Sequence, residues 1–183
     1  MSAPTDQQPS GWVAKHLRLV RAGGTILDLA CGQGRHTKLA AGLGYSVVAL
    51  DRNAEALAML SGHSGVETLE HDLETDDMVW PFEEMQFDGI IVSNYLHRRL
   101  FPQILSSLAN GGVLIYETFA SGNEAFGKPS RPAFLLKEGE LLELTRDLTI
   151  AAFEQGRTSH PSPAVRQRIC SIRRRPLTDI PLD

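Results

Sequence analysis

Residues 26–37, ILDLACGQGRHT, restrict the fold of this chain more than any other stretch. An apolar run interrupted by one acid, Asp28, has the composition of a strand buried on both faces. It breaks in a glycine-rich turn and opens into a helix over 35–42 that turns Leu39 and Ala40 inward and stops at Gly42 and Gly44. The pattern then recurs: strand 45–50, helix 53–60 capped by Asn53, strand 66–71, and, after a loop broken by a proline, strand 88–93. A helix over 98–109 follows with Pro102 in its first turn, where proline is tolerated. Asn110-Gly111-Gly112 makes a turn into a fifth strand, 113–118.

Such alternation predicts an α/β fold with a parallel sheet covered by helices on both faces. Upstream, Ser10 caps a helix whose apolar positions Trp12, Val13, Leu17 and Val20 share one side, and Gly23-Gly24 end it. Downstream, 119–133 is rich in glycine and proline and has no period. A helix near 137–146 and strands 148–154 and 165–172 complete the chain, the last two spaced to pair as an antiparallel hairpin.

At 183 residues the chain has room for one core. The expected division is a disordered leader over 1–10, a single domain over 11–175 and a tail over 176–183. Two cysteines, Cys31 and Cys170, are too few to suggest a disulfide framework or a zinc cluster, and no apolar run reaches bilayer length. The first ten residues lack the basic and apolar regions of a signal peptide, so a reducing cytoplasm is the expected location. A net charge of −4 argues against nucleic acid as the main partner. Basic residues nevertheless cluster at Lys15, His16, Arg18 and Arg21, and again at Arg166, Arg168, Arg173, Arg174 and Arg175. A solvated face is the expected role; a patch for an anionic substrate or RNA is the alternative.

In open parallel sheets, ligands bind beyond the carboxyl ends of the strands. Here the first such end carries Gly32 and Gly34, which let backbone approach a ligand. Two more strand ends carry acids, Asp51 and Asp72. One acid so placed is usually a helix cap, but acids at three successive ends form a ligand-side pattern. Asp51 is placed to accept hydrogen bonds from a ribose. Dinucleotide turns require a third glycine where Thr37 stands, and Asp28 would repel a pyrophosphate. A carboxylate there suits a cationic ligand, such as an ammonium or a sulfonium.

ILDLACGQGRHT, with VVALDRN, HDLE and FDGIIVSNYLH, resembles the class I S-adenosylmethionine-dependent methyltransferases, over roughly 12–172. It is most similar to the small bacterial enzymes of the tellurite-resistance type. The resemblance implies a Rossmann-like, doubly wound sheet of seven strands, six parallel and the last antiparallel. It implies S-adenosyl-L-methionine as methyl donor and S-adenosyl-L-homocysteine as product. It further implies that Asp28 and the turn residues Ala30, Cys31, Gly32 and Gly34 surround the methionine moiety. By the same likeness Asp51, with Arg52 beside it, holds the ribose, Asp72 and Leu73 contact the adenine, and Ser93 and Asn94 line the cofactor. Ala30 stands where the common pattern has its first glycine, a small replacement.

Methyl transfer needs positioning and desolvation more than acid–base chemistry. Tyr95, His97 and Glu117 are the candidates for contact with the acceptor, and each has a structural alternative: a pocket wall, a hydrogen-bonded histidine, a satisfied buried glutamate. His36 is expected to pack near the cofactor. The Asn/Asp-Pro-Pro-Tyr of amide and base N-methylases is absent after the fourth strand. Phe119, Phe126 and Phe134 are available as apolar walls in the 119–133 region, and Trp12 as a cover. A small-molecule acceptor is expected, with no metal and no membrane. A nicotinamide-dependent oxidoreductase and a non-catalytic nucleoside-binding module are the rival readings.

Overall fold

In a computed structural model, residues 8–174 and 176–180 are described. Most of the expected leader (1–7), Arg175 and the end of the expected tail (181–183) lie outside the described residues. Strands β1 (Thr25–Leu29), β2 (Ser46–Asp51), β3 (Val66–Glu70), β4 (Phe87–Ser93), β5 (Leu108–Phe119), β6 (Thr149–Thr158) and β7 (Ala164–Ile172) form one sheet in the order β3-β2-β1-β4-β5-β7-β6. β1 to β5 pair in parallel, and β7 lies antiparallel between β5 and β6. The strand order reverses between β1 and β4, so their carboxyl ends open a crevice there.

Alternation sorts the side chains into two layers. Leu27, Leu29, Ile90, Val92, Leu114 and Tyr116 pack toward α4 (Phe101–Ser106) and α5 (Glu140–Leu144), which contribute Phe101, Ile104 and Leu141. On the opposite face Ile26, Val47, Ile91, Ile115 and Cys170 meet Trp12 and Val13 of α1 (Gly11–His16) and Ala40 of α2 (Arg35–Gly42). A third helix, α3 (Ala54–Ala58), covers Ala49 with Leu57. Side chains cap α1 and α3 as the sequence predicts: Ser10 accepts from Trp12 N–H and Asn53 from Ala56 N–H.

Several boundaries differ from expectation. α4 stops at Ser106 rather than 109, and β5 begins at Leu108 rather than 113. Leu108 pairs with Phe87 before the chain bulges out and Val113 pairs with Gly89. Arg173 gathers the carbonyls of Leu105, Ser106 and Leu108 at 2.9–3.0 Å, closing the helix early. Gly112 is required in the bulge, because a Cβ there would lie 2.9 Å from the Phe87 carbonyl oxygen. α5 is likewise shorter than the expected 137–146, starting after Gly139 with φ +69°.

The basic clusters divide: Lys15, Arg18, Arg21 and Arg174 are exposed, as a solvated face requires, while Arg166, Arg168 and Arg173 are half-buried. His16 is buried against Trp12, with ring centroids 4.1 Å apart, and Arg21 grips Asp88 through two hydrogen bonds. Trp12 itself is 6% exposed and points its indole N–H at the Ile169 carbonyl. It belongs to the core and does not cover a pocket, correcting the expectation. Among the described residues no helix is long and apolar enough to cross a membrane.

Candidate functional site

The crevice at the switch point is a cleft of about 580 Å³. The turn residues Ala30, Cys31, Gly32 and Gln33, the start of α2, Ser93 at the end of β4, and Asn94 and Tyr95 after it form its walls, with Asp28 at its base. A smaller hollow of about 180 Å³ continues it past Asp51, Arg52, Asp72 and Leu73. Ala30 and Tyr95 line both parts. The anticipated binding residues from the turn, from three strand ends and from the segment after β4 thus meet on one edge, except that Gly34 sits just behind the wall.

The backbone around the cleft is unusual. Ala30, Gly32, Gly34 and Asn94 all have positive φ, at 55°, 55°, 73° and 57°. Alanine in that conformation carries a cost that glycine would not. A Cβ at Gly32 would meet nothing within 4 Å, so the glycine leaves the cleft floor bare. A Cβ at Gly34 would run into Leu60 at 2.4 Å, so that glycine serves packing.

Asp28 is 1% exposed. Thr37 Oγ1 donates to its Oδ2 at 2.6 Å. Burial pushes its pKa up to about 6, against the opposing pull of the Thr37 hydrogen bonds and Arg35. Thr37, which stands where a dinucleotide turn would have its third glycine, is therefore the partner of the buried acid. Asp51 accepts the Gly32 N–H at 2.7 Å on one oxygen and the Asn53 N–H at 2.9 Å on the other. Each oxygen keeps a lone pair for a ligand hydroxyl. Asp72 caps its own turn through Glu74 N–H and remains exposed. Burial, and next the nearby Asp28 and Asp51 carboxylates, push the Cys31 thiol far up, so it stays protonated at neutral pH.

Of the three acceptor-contact candidates, only Tyr95 lines the cleft. Burial first, then Glu74 and Asp72, push its phenol pKa up, keeping it neutral. His97 is half-buried and absent from both walls; its carbonyl accepts the Leu100 N–H. Glu117 is 2% exposed and lies one strand behind the wall, bonded to Ser93 and paired with Arg168. Phe126 and Phe134 are 41% and 47% exposed and line neither part of the cleft, and Phe119 instead carries Arg166 stacked 4.1 Å above its ring.

Sequence reasoning missed Gln33, Arg35, Lys38, Met59, His71 and Glu74 as lining residues. The first three adjoin the turn, and a basic residue so close to it was the available signal. Arg35 donates to Ser93 Oγ at 3.2 Å and to the Gln8 carbonyl at 3.3 Å, while His36 Nε2 accepts the Ser10 N–H at 3.1 Å. Residues 8–10, expected to be disordered, are thus tied to the cleft wall. Arg166 reaches back to Asn94 Oδ1 at 2.6 Å, a contact across 72 residues that no local pattern reveals.

A family model described as "Methyltransferase domain" matches residues 26–112. A probable S-adenosyl-L-methionine-dependent methyltransferase, TehB of Haemophilus influenzae, is 28% identical over 128 residues, 67% of this chain. The match takes in 45% of that relative, so the chain spans less than half the length of the curated relatives it matches. The crystal structure of TehB from Haemophilus influenzae superimposes with a TM-score of 0.75 at 19% identity, covering 90% of this chain and 62% of that one. An S-adenosylmethionine-dependent methyltransferase from Mesorhizobium loti gives 0.69 at 18% identity, covering 90% and 99%. With the glycine turn and the acids at the strand ends, these likenesses make residues 26–112 similar to a methyltransferase domain, and the seven-stranded sheet has the fold of the S-adenosylmethionine-dependent methyltransferases on which it superimposes.

Proposed function

We propose that this chain transfers a methyl group from S-adenosylmethionine to a small-molecule acceptor. The observation that carries the reading is the order of charges along the cleft. Asp28 and Arg35 stand at one end as a carboxylate and a guanidinium, Asp51 lies next, and Asp72 and Leu73 line the far hollow. An amino-acid ammonium and carboxylate, a ribose diol and an adenine require those partners in that sequence. Bound there, the cofactor supplies a methyl carbon on a sulfonium, an electrophile that needs no activation by the protein.

The residues then have binding, orienting and water-excluding roles. Asp51, fixed by two backbone N–H groups, holds the ribose without having to reorganise. Tyr95, lining both parts, separates the adenine hollow from the methyl side. The acceptor approaches past Asn94, whose side chain Arg166 holds in place. Arg35 and His36 tie Gln8 and Ser10 to the start of α2 beside the cleft, and a cleft of about 580 Å³ supports a small acceptor over a polymer.

A thermal-shift titration with S-adenosylmethionine, S-adenosylhomocysteine and NAD in parallel tests the reading. Ligand at ~100 times Kd adds about 2.7 kcal/mol to the folded state, so the two adenosyl compounds raise the Tm and NAD does not. A shift with NAD alone would return the chain to the oxidoreductases. Cofactor binding with no transfer to any of a broad acceptor panel would favour a nucleoside-binding module.

A further inference from the structure

We infer that Glu117 is a positioning residue which, acting through Ser93, orients the Arg35 guanidinium toward the cofactor's carboxylate. The inference rests on the proposed S-adenosylmethionine cleft. Strand register supplies the connection: Ser93 of β4 pairs with Glu117 of β5, Glu117 with Arg168 of β7, and Arg168 with Glu154 of β6. Directly paired residues point to the same face, so these four make a polar row across the sheet that ends at the cleft.

The contacts follow the row. Arg35 donates to Ser93 Oγ at 3.2 Å, and Ser93 Oγ donates to Glu117 Oε1 at 3.1 Å. Arg168 Nε lies 3.3 Å from Glu117 Oε2, and its Nη1 lies 3.5 Å from Glu154. Glu117 is buried and lines no part of the cleft, so it touches neither cofactor nor acceptor. A carboxylate only accepts hydrogen bonds, so it fixes the direction of the Ser93 hydroxyl proton. That leaves a serine lone pair facing the Arg35 N–H. Arg168 supplies the counter-charge a buried carboxylate requires.

The test compares two ligands by calorimetry: S-adenosylhomocysteine, and 5′-methylthioadenosine, which keeps the adenosine thioether but lacks the amino-acid group. Glu117→Gln keeps the size of the side chain but can turn an N–H toward Ser93 and reverse the hydroxyl. The variant should bind S-adenosylhomocysteine about three- to tenfold more weakly, the cost of one disturbed charge-assisted hydrogen bond. Binding of 5′-methylthioadenosine should stay within about twofold, a result that also reports an intact fold. In an Arg35→Ala background, Glu117→Gln should have no further effect. Ser93→Ala, which cuts the same link with little packing change, should reproduce the discrimination if Glu117→Gln folds poorly. Equal weakening of both ligands, or an undiminished Glu117→Gln effect without Arg35, overturns the inference; so does unchanged binding of both ligands. If neither ligand binds the wild-type protein, it is the cofactor reading that fails.

Discussion

Asp28→Asn separates the cost of a buried charge from the cost of a buried shape. Asp28 is 1% exposed, and burial outweighs the Thr37 hydrogen bonds and Arg35 to bring its pKa to about 6. An aspartate in the unfolded chain titrates near 3.9. The folded value lies above the unfolded one, so the proton stabilises the fold fully below about pH 4, and that stabilisation is lost as pH rises through about 6. The difference of roughly 2 units corresponds to about 3 kcal/mol, of which about 2 kcal/mol falls between pH 4 and pH 7.5. Asparagine cannot ionise. It still accepts from Thr37, but its amide N–H₂ needs an acceptor and costs about 1–3 kcal/mol if it finds none.

That amide cost does not depend on pH, so it cancels when two pH values are compared. Urea unfolding of both proteins should therefore show the stability of Asp28→Asn relative to wild type rising by about 2 kcal/mol from about pH 4 to about pH 7.5. A flat difference would mean that Asp28 titrates normally and is not desolvated; a falling one would mean that a cation inside the fold already holds it ionised. A second readout follows from the proposed ligand. An ammonium beside Asp28 favours its ionised form, so wild-type affinity for S-adenosylhomocysteine should rise as pH passes about 6 while that of Asp28→Asn should not.

Three further outcomes are expected. Asp51→Ala should weaken S-adenosylhomocysteine binding by ~1–3 kcal/mol by calorimetry, through lost hydrogen bonds to the ribose and loss of the contacts to Gly32 and Asn53; unchanged affinity in a folded variant removes Asp51 from the site. Gly34→Ala places a Cβ 2.4 Å from Leu60 Cδ2 at a φ of +73°, and should cost about 1–3 kcal/mol in urea unfolding. Arg98 donates to the carbonyls of Ala133 and Leu135 and pairs with Glu140, so Arg98→Ala should speed limited proteolysis between residues 119 and 136, and equal cleavage rates would show that the loop is held by other contacts.

What the sequence disclosed followed the range of each interaction. The turn was legible because its requirements are local: Gly32 and Gly34 take a conformation other residues resist, and acids at strand ends fall on one edge whenever the strands are parallel. The hairpin of β6 and β7 was legible from the spacing of two strands about a polar turn. The end of α4 was not, because the group that terminates it, Arg173, comes 65 residues after Leu108. Trp12 looked like a cover because helical period gives the side of a helix and not what lies opposite; here that is the sheet, with Ile169 accepting its indole N–H.

Glu117 shows the same limit at the site. A glutamate at the end of an apolar strand reads as a catalytic candidate when the only measure is nearness to the ligand edge. Its role depends on which strands flank β5, and that order, with β4 on one side and the antiparallel β7 on the other, is a property of topology. β4 brings Ser93 and through it Arg35; β7 brings Arg168. Ser93 donates to one oxygen, and Arg168 stands 3.3 Å from the other as a counter-charge without hydrogen-bonding to it. A general base must reach the proton it removes, and Glu117 meets the cleft only through Ser93. On the proposed reading, the chemistry at this edge would rest on placing the acceptor against the methyl carbon, and the inferred task of the polar row behind β4 is to keep the cofactor's amino-acid end in one position.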